Sequence, residues 1–212
     1  MAAAAPWVQE DDGLYTRVSI AQEDVEDLSG WRADAYAEYG LTSRLTVTGN
    51  IERVEYDNGA DFNTDGWRST LRYAVIEHGP VVVSLEAGLL QGAAIGGRNG
   101  CDRLGTEVRA GLAWSGEWQK RSTYVFGEAA GRFHGDCQRE RFAFGLGQRT
   151  SENVWSVTQV WLERGDTNAA SDKFQTELLW RTETADFSFG YRKENGGRFE
   201  EESIFLALAR QF

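Results

Sequence analysis

The segment Ile204-Phe205-Leu206-Ala207-Leu208-Ala209-Arg210-Gln211-Phe212 reads as a single β-strand. Large apolar groups stand at Ile204, Leu206 and Leu208, and an aromatic, Phe212, follows in the same phase. A period of two puts all four on one face of a strand. No Gly or Pro interrupts the run. A strand whose pattern persists to a final aromatic is expected to pair with another strand edge, and the first strand of the chain is the natural partner.

The same period recurs upstream. Trp31, Ala33, Ala35, Ala37 and Tyr39 share a face, against Arg32, Asp34, Tyr36 and Glu38 on the other. Val81, Val83, Leu85, Ala87 and Leu89 oppose Ser84, Glu86 and Gly88. Val108, Ala110, Leu112 and Trp114 oppose Glu107, Arg109, Gly111 and Ser115. Phe174, Thr176, Leu178 and Trp180 oppose Gln175, Glu177 and Arg181. One apolar and one charged side per strand is the rule, and no helical i, i+3, i+4 pattern is sustained. Turn signals predict about twelve strands, near 14–22, 31–41, 44–56, 66–78, 80–91, 105–118, 121–134, 138–149, 153–164, 173–183, 186–193 and 202–212.

The predicted connections alternate in length. Short ones fall at Leu41-Thr42-Ser43, His78-Gly79-Pro80, Trp118-Gln119-Lys120, Thr150-Ser151-Glu152 and Glu183-Thr184-Ala185. Long polar ones fall at 23–30, 57–65, 92–104, 134–138, 165–172 and 194–201. The acidic residues gather in several of these, including Gln22-Glu23-Asp24-Val25-Glu26-Asp27 and the run from Glu194 to Glu202. Residues 1–12 are expected to be an N-terminal tail, and Met1-Ala2-Ala3-Ala4-Ala5-Pro6 resembles what remains after an export signal is removed.

Composition narrows the class. The 212 residues contain 24 Gly, 2 Pro, 8 Trp and 12% aromatics, with formal net charge −11. That charge disfavours nucleic acid as a partner, because phosphate binding needs a basic face. No run of about 18 apolar residues exists, so a transmembrane helix is excluded. A mean hydropathy of −0.48 says nothing against a membrane barrel, whose strands alternate lipid-facing and lumen-facing residues. The expected fold is all-β, a single closed antiparallel up-and-down transmembrane β-barrel spanning residues 1–212 as one domain. Two aromatic belts are expected, with Trp114, Trp118, Trp155, Trp180 and Phe187 near the short turns. Trp31, Trp67, Trp161 and Tyr191 would lie towards the long loops. The competing reading is a soluble sandwich, since alternation alone does not tell inside from outside.

The chain resembles the outer-membrane β-barrel proteins of Gram-negative bacteria. The likeness covers nearly the whole length as architecture and rests on the C-terminal segment ending in Phe212. That pattern usually carries an aromatic two positions earlier, where this chain has Arg210. The resemblance implies localisation in the bacterial outer membrane and contact with lipid and lipopolysaccharide. It also implies handling by the barrel-assembly machinery, with Phe212 as assembly signal. A monomer is expected, and no cofactor is assigned.

Turning the polar faces inward predicts a charged lumen. Arg32, Asp34, Glu38, Arg68, Arg72, Glu86, Glu107, Arg109, Glu128, Arg132, Arg141, Glu177, Arg181 and Arg192 would line it, with Arg17 beside them. Buried charges persist only when paired or hydrated. The lumen is therefore either a narrow pore for small solutes or ions, or a plug of ion pairs in a structural or receptor barrel. A third class, a lipid-modifying enzyme, needs a His beside a nucleophilic Ser. His78 and His134 stand in no His-x-Ser arrangement, and no catalytic residue is assigned. Asp61, Asn63 and Asp65 match half of a calcium loop, but Arg72 stands where the closing Glu belongs, so no metal site is assigned.

Cys101 and Cys137 fall in the connections after the fifth and seventh strands, hence on the same rim. An oxidising compartment favours a disulfide between them. Thiol titration of the unreduced folded protein is expected to find no free thiol. Two free thiols would remove the bridge and the loop register that places it.

Overall fold

Twelve antiparallel strands follow one another through the computed structural model, which describes residues 6–57, 63–92, 104–135, 137–166, 170–196 and 199–212. They are β1 (Leu14–Val25), β2 (Leu28–Thr42), β3 (Leu45–Tyr56), β4 (Thr64–His78), β5 (Val81–Gly92) and β6 (Gly105–Trp118). The second half comprises β7 (Arg121–Phe133), β8 (Gln138–Arg149), β9 (Val154–Gly165), β10 (Ala170–Arg181), β11 (Asp186–Gly196) and β12 (Phe199–Gln211). Each strand pairs with its sequence neighbours, and β1 pairs with β12, so the sheet is a closed barrel.

The closing register runs from Tyr15↔Gln211 through Val18↔Leu208 to Val25↔Glu201. Beyond it, the Phe212 N–H donates to the Leu14 carbonyl at 2.8 Å, and the Leu14 N–H to the Phe212 carbonyl at 3.3 Å. The Arg210 guanidinium lies 4.4 Å over the Phe212 ring. The terminal aromatic thus seals the seam, and Arg210 packs on it by a cation–π contact.

The side-chain pattern is that of a membrane barrel. Val18, Ile20, Leu71, Leu85, Leu89, Leu112, Phe144, Leu178, Phe189, Ile204 and Leu206 are all exposed, and they point outward around the ring. Glu23, Arg72, Glu107 and Glu177 are buried within. A continuous outward apolar surface of this extent is stable only in lipid. The soluble-sandwich reading, with apolar faces inside, is overturned by this inversion.

Connections at the end bearing both termini are tight. Gly79, at φ 55°, takes the first place of a two-residue turn and Pro80 the second, the chemistry of a hairpin that follows the strand twist. Gln119 and Lys120 form another two-residue turn at φ 53° and 61°. At the opposite, loop end, the expected long connections at 23–30 and 194–201 are mostly strand. β1 continues to Val25 and β2 starts at Leu28, while β11 continues to Gly196. The acidic runs that suggest solvated loops are strands rising beyond the apolar belt, where outward Asp24, Glu200 and Glu202 meet water. Strict alternation of loop length therefore does not hold.

Two belt residues are also displaced. Trp155 and Trp161 share the inward phase of β9 with Val157, Gln159 and Glu163, so Trp161 lines the lumen and Trp155 stacks on Tyr124 inside the turn-end mouth at 5.9 Å. β9 is apolar on both faces, and its period alone does not choose between them. Trp31, Trp67, Trp118, Trp180 and Phe187 do lie exposed on the outside.

Leu112 and Leu178 are each 56% exposed on the outer face. Leu112→Arg or Leu178→Arg is expected to cost about 2–4 kcal/mol near the bilayer midplane and to reduce folding into vesicles. Ser115→Arg, at the turn rim in the inward phase, should fold normally. Equal damage from both classes, read by heat-modifiable gel mobility, would contradict the orientation.

Candidate functional site

The barrel interior has three levels. At the mouth bearing the termini, residues 6–9 of the segment read from sequence as a tail enter the lumen, while Glu10, Asp11 and Asp12 stay exposed in a turn at the rim. Pro6 is wholly buried against Gly111, where an added Cβ would come within 2.8 Å of the proline ring. Trp7 meets Tyr124 edge-on at 5.5 Å and Phe126 at 6.2 Å. Those rings occupy room left by Gly147 and Gly145, whose Cβ atoms would sit 2.1 Å and 2.2 Å from them. The Gln9 backbone N–H donates to Thr46 Oγ1 at 2.8 Å, and its side-chain amide to Glu38 at 2.5 Å. Gln211 donates to Gln9 Oε1 at 3.1 Å.

Above this plug lies a buried ion-pair network. Arg72 donates to Glu86 from Nε and to Glu38 from Nη1, each at 2.8 Å. The same Nη1 reaches the Trp7 carbonyl at 2.8 Å, tying the network to the N-terminal segment. Arg109 bridges Glu107 at 2.6 Å and Glu128 at 3.1 Å. Glu107 also receives Arg132 at 2.5 Å and Arg68 at 3.2 Å. Strand register explains the order, because Arg72↔Glu86, Glu86↔Arg109 and Glu107↔Arg132 are direct cross-strand pairs. Opposite charges at such positions attract across about 5 Å. Each carboxylate in low dielectric needs these donors.

The third level is a cavity of about 430 Å³ opening towards the loop end. Arg32, Asp34, Arg68, Arg132, Arg141, Glu177 and Arg192 line it, joined by Arg17, Glu52, Glu163, Lys173, Glu194 and Glu201. Its floor includes the Arg17–Glu177 pair, closed at 2.8 Å, and Tyr36. Glu38, Arg72, Glu86, Glu107, Arg109 and Glu128 are buried below and behind this space. Arg181 does not belong there. It lies exposed at the turn rim, where it holds Asp186 at 3.2 Å and covers the Trp155 ring at 5.5 Å. Its inward phase is correct, but β10 ends at that residue.

Sequence reading missed Glu23, Glu194 and Glu201 because they stand in runs that look like loops, Glu163 because β9 is apolar on both faces, and Glu52 because β3 carries charge on its outer face too, at Arg53 and Glu55. It also missed the N-terminal segment, which carries no alternation. Asn63 is engaged, its Oδ1 accepting the Tyr56 N–H at 2.9 Å, while Asp65 lies in β4 and Asp61 falls outside the described residues. His78 ends β4 at the turn end and His134 follows β7 at the loop end, so they belong to opposite rims. Cys137 is not a free thiol, and Cys101 falls outside the described residues.

No protein-family model matches the sequence, and no curated protein does. Solved structures match closely in shape. The NanC porin superposes with TM-score 0.64 at 10% identity, over 91% of this chain and 98% of that one. An outer-membrane channel from Pseudomonas putida F1 gives 0.62 at 12%, covering all of both chains. The KdgM porin gives 0.60 at 7%, over 90% of this chain and 97% of that one. The fold is that of an outer-membrane β-barrel. At these identities the likeness concerns fold alone.

Arg72→Ala would leave Glu38 and Glu86 buried without their shared cation. It is expected to cost about 3–5 kcal/mol in urea unfolding from detergent micelles. Arg53→Ala, on the exposed outer surface, should stay within about 0.5 kcal/mol. Similar values for the two would show that the interior network is hydrated and weak.

Proposed function

We propose that the protein is a narrow channel of the bacterial outer membrane for small solutes, with its loop end outside and its N-terminal segment closing the periplasmic mouth. The observation that carries this reading is the cavity, which descends from the loop rim to the Arg17–Glu177 floor above that segment. The segment is held by Gln9, Trp7 and Pro6 contacts and not by strand pairing, so it can leave without breaking the sheet. The charged lining would attract ions and polar solutes into a low-dielectric wall that focuses the field. The continuous outward apolar belt suits a monomer in lipid, covered by lipopolysaccharide in the outer leaflet. Phe212, at the seam, would be the feature read by the assembly machinery. A disulfide between Cys101 and Cys137 would brace the loop rim.

A second reading is a non-conducting structural or receptor barrel, favoured by the full burial of Arg72 and Glu107 across mid-lumen. Planar-bilayer recording decides between pore and plug. The full chain should show low or intermittent conductance, and a chain lacking residues 1–9 should conduct steadily at several times that value. Trp7→Ala with Gln9→Ala should act in the same direction while retaining the folded gel mobility. Absence of conductance in all three would establish the non-conducting barrel.

A further inference from the structure

The cavity has two walls of opposite character. On one, Arg32 of β2 is shared by Glu23 of β1, by Glu52 of β3 at 3.3 Å and by Glu201 of β12 at 3.2 Å. Asp34, two residues along the same face of β2, lines the cavity with no ion-pair partner among the described residues. Lys173 nearby is taken by Glu194 at 2.5 Å, and Arg192 donates to Gln175 at 3.1 Å. Carboxylates are in surplus on this side.

On the other wall the ratio is reversed. Glu163 of β9 is shared by Arg132 of β7 at 3.6 Å and Arg141 of β8 at 3.4 Å, Arg132 also holding Glu107 through Nε, so that three arginines here face two carboxylates. Arg139 stands directly opposite Arg132 across the β7–β8 ladder, a like-charge pair that repels. Arg139 is 5% exposed, and its Nε and Nη2 have no hydrogen-bond partner among the described residues. Asp166, at the rim, accepts the Gln138 N–H. Arg141 lies 5.7 Å over the Trp161 ring, which holds its guanidinium against the wall.

In a ring of twelve, β8 lies six strands from β2, diametrically across the lumen. Asp34, Glu52 and Glu201 on one side and Arg132, Arg141 and Glu163 on the other line the same cavity, with Arg139 buried behind the second group. Internal pairing leaves cationic capacity on one side and anionic capacity on the other. A monovalent anion would satisfy only the first, and a cation only the second. A molecule carrying both charges satisfies both at once.

We infer that the vestibule is a binding site for a small zwitterion, its carboxylate received by Arg132 and Arg141 and its ammonium by Asp34, Glu52 and Glu201. The volume of about 430 Å³ falls in the range of small-molecule sites and suits an amino acid or short peptide. This deepens the channel reading and rests on the cavity being a solute site, but equilibrium binding does not require conduction.

The test is isothermal titration calorimetry on the full chain in detergent micelles. The probes are glycine, diglycine and triglycine as zwitterions of increasing span, N-acetylglycine as the anion and glycinamide as the cation. At least one zwitterion should bind about tenfold more tightly than either singly charged analogue. Arg141→Gln should weaken the best zwitterion and N-acetylglycine about tenfold while leaving glycinamide unchanged. Glu52→Gln should weaken the zwitterion and glycinamide but spare N-acetylglycine. Both side chains are partly exposed, at 21% and 20%, so the variants should fold. N-acetylglycine binding as well as any zwitterion would make the site one for anions and overturn the inference. So would the absence of binding by every probe, which would leave the conductance result of the channel reading standing on its own.

Discussion

Closure of β1 onto β12 is the constraint on which everything else rests. An open sheet edge in lipid would strand a row of N–H and C=O groups, each costing several kcal/mol. The ladder from Tyr15↔Gln211 to Val25↔Glu201 removes that edge, and Phe212 extends it by two further hydrogen bonds to Leu14. Once the ring is closed, the pleat assigns every residue to lipid or lumen. A slip of one residue at the seam would bring Arg17 and Glu23 into the bilayer and Val18 and Ile20 into the lumen.

The lumen then follows from what a closed ring of this size must fill. Aromatic rings and a proline occupy the terminal mouth, seated against Gly111, Gly145 and Gly147. Charges fill the middle, and they survive because cross-strand register sets Arg beside Glu on adjacent strands. Such pairs contribute little net stability against a hydrophobic filling, but losing one partner is expensive. The network therefore specifies an arrangement more than it strengthens the barrel. Its imbalance towards the loop end, with Glu163 shared on one wall and Arg32 on the other, leaves a polarised vestibule.

The N-terminal segment belongs to a different mechanical class. Strands are held by continuous ladders, whereas Pro6–Gln9 is held by a few side-chain contacts and the Arg72 bond to the Trp7 carbonyl. Elements with few such ties open at lower free energy than the sheet that surrounds them. The same arginine joins plug and wall, bonding the Trp7 carbonyl, Glu38 and Glu86 at once.

The strands, their number and the lipid or lumen phase of most residues were legible in the sequence, because period two is a local property that survives without neighbours. The alternation in β2, β5, β6 and β10 put Glu38, Glu86, Glu107, Arg109 and Glu177 in one phase, and they are buried. β9 was not legible, since Trp155 and Trp161 are as apolar as the lipid-facing Val160 and Leu162. Acidic runs at 23–30 and 194–201 looked like loops because composition does not separate a solvated loop from a strand projecting into water. Arg181 carried the right phase but lay beyond the depth at which a lumen still encloses it. Partner choice was decided only by the tertiary structure. Which strands face each other, which arginine serves which carboxylate, and that residues 6–9 turn into the mouth all depend on ring closure. Closure brings together residues as distant as Gln9 and Gln211, and a local pattern carries no record of such distances.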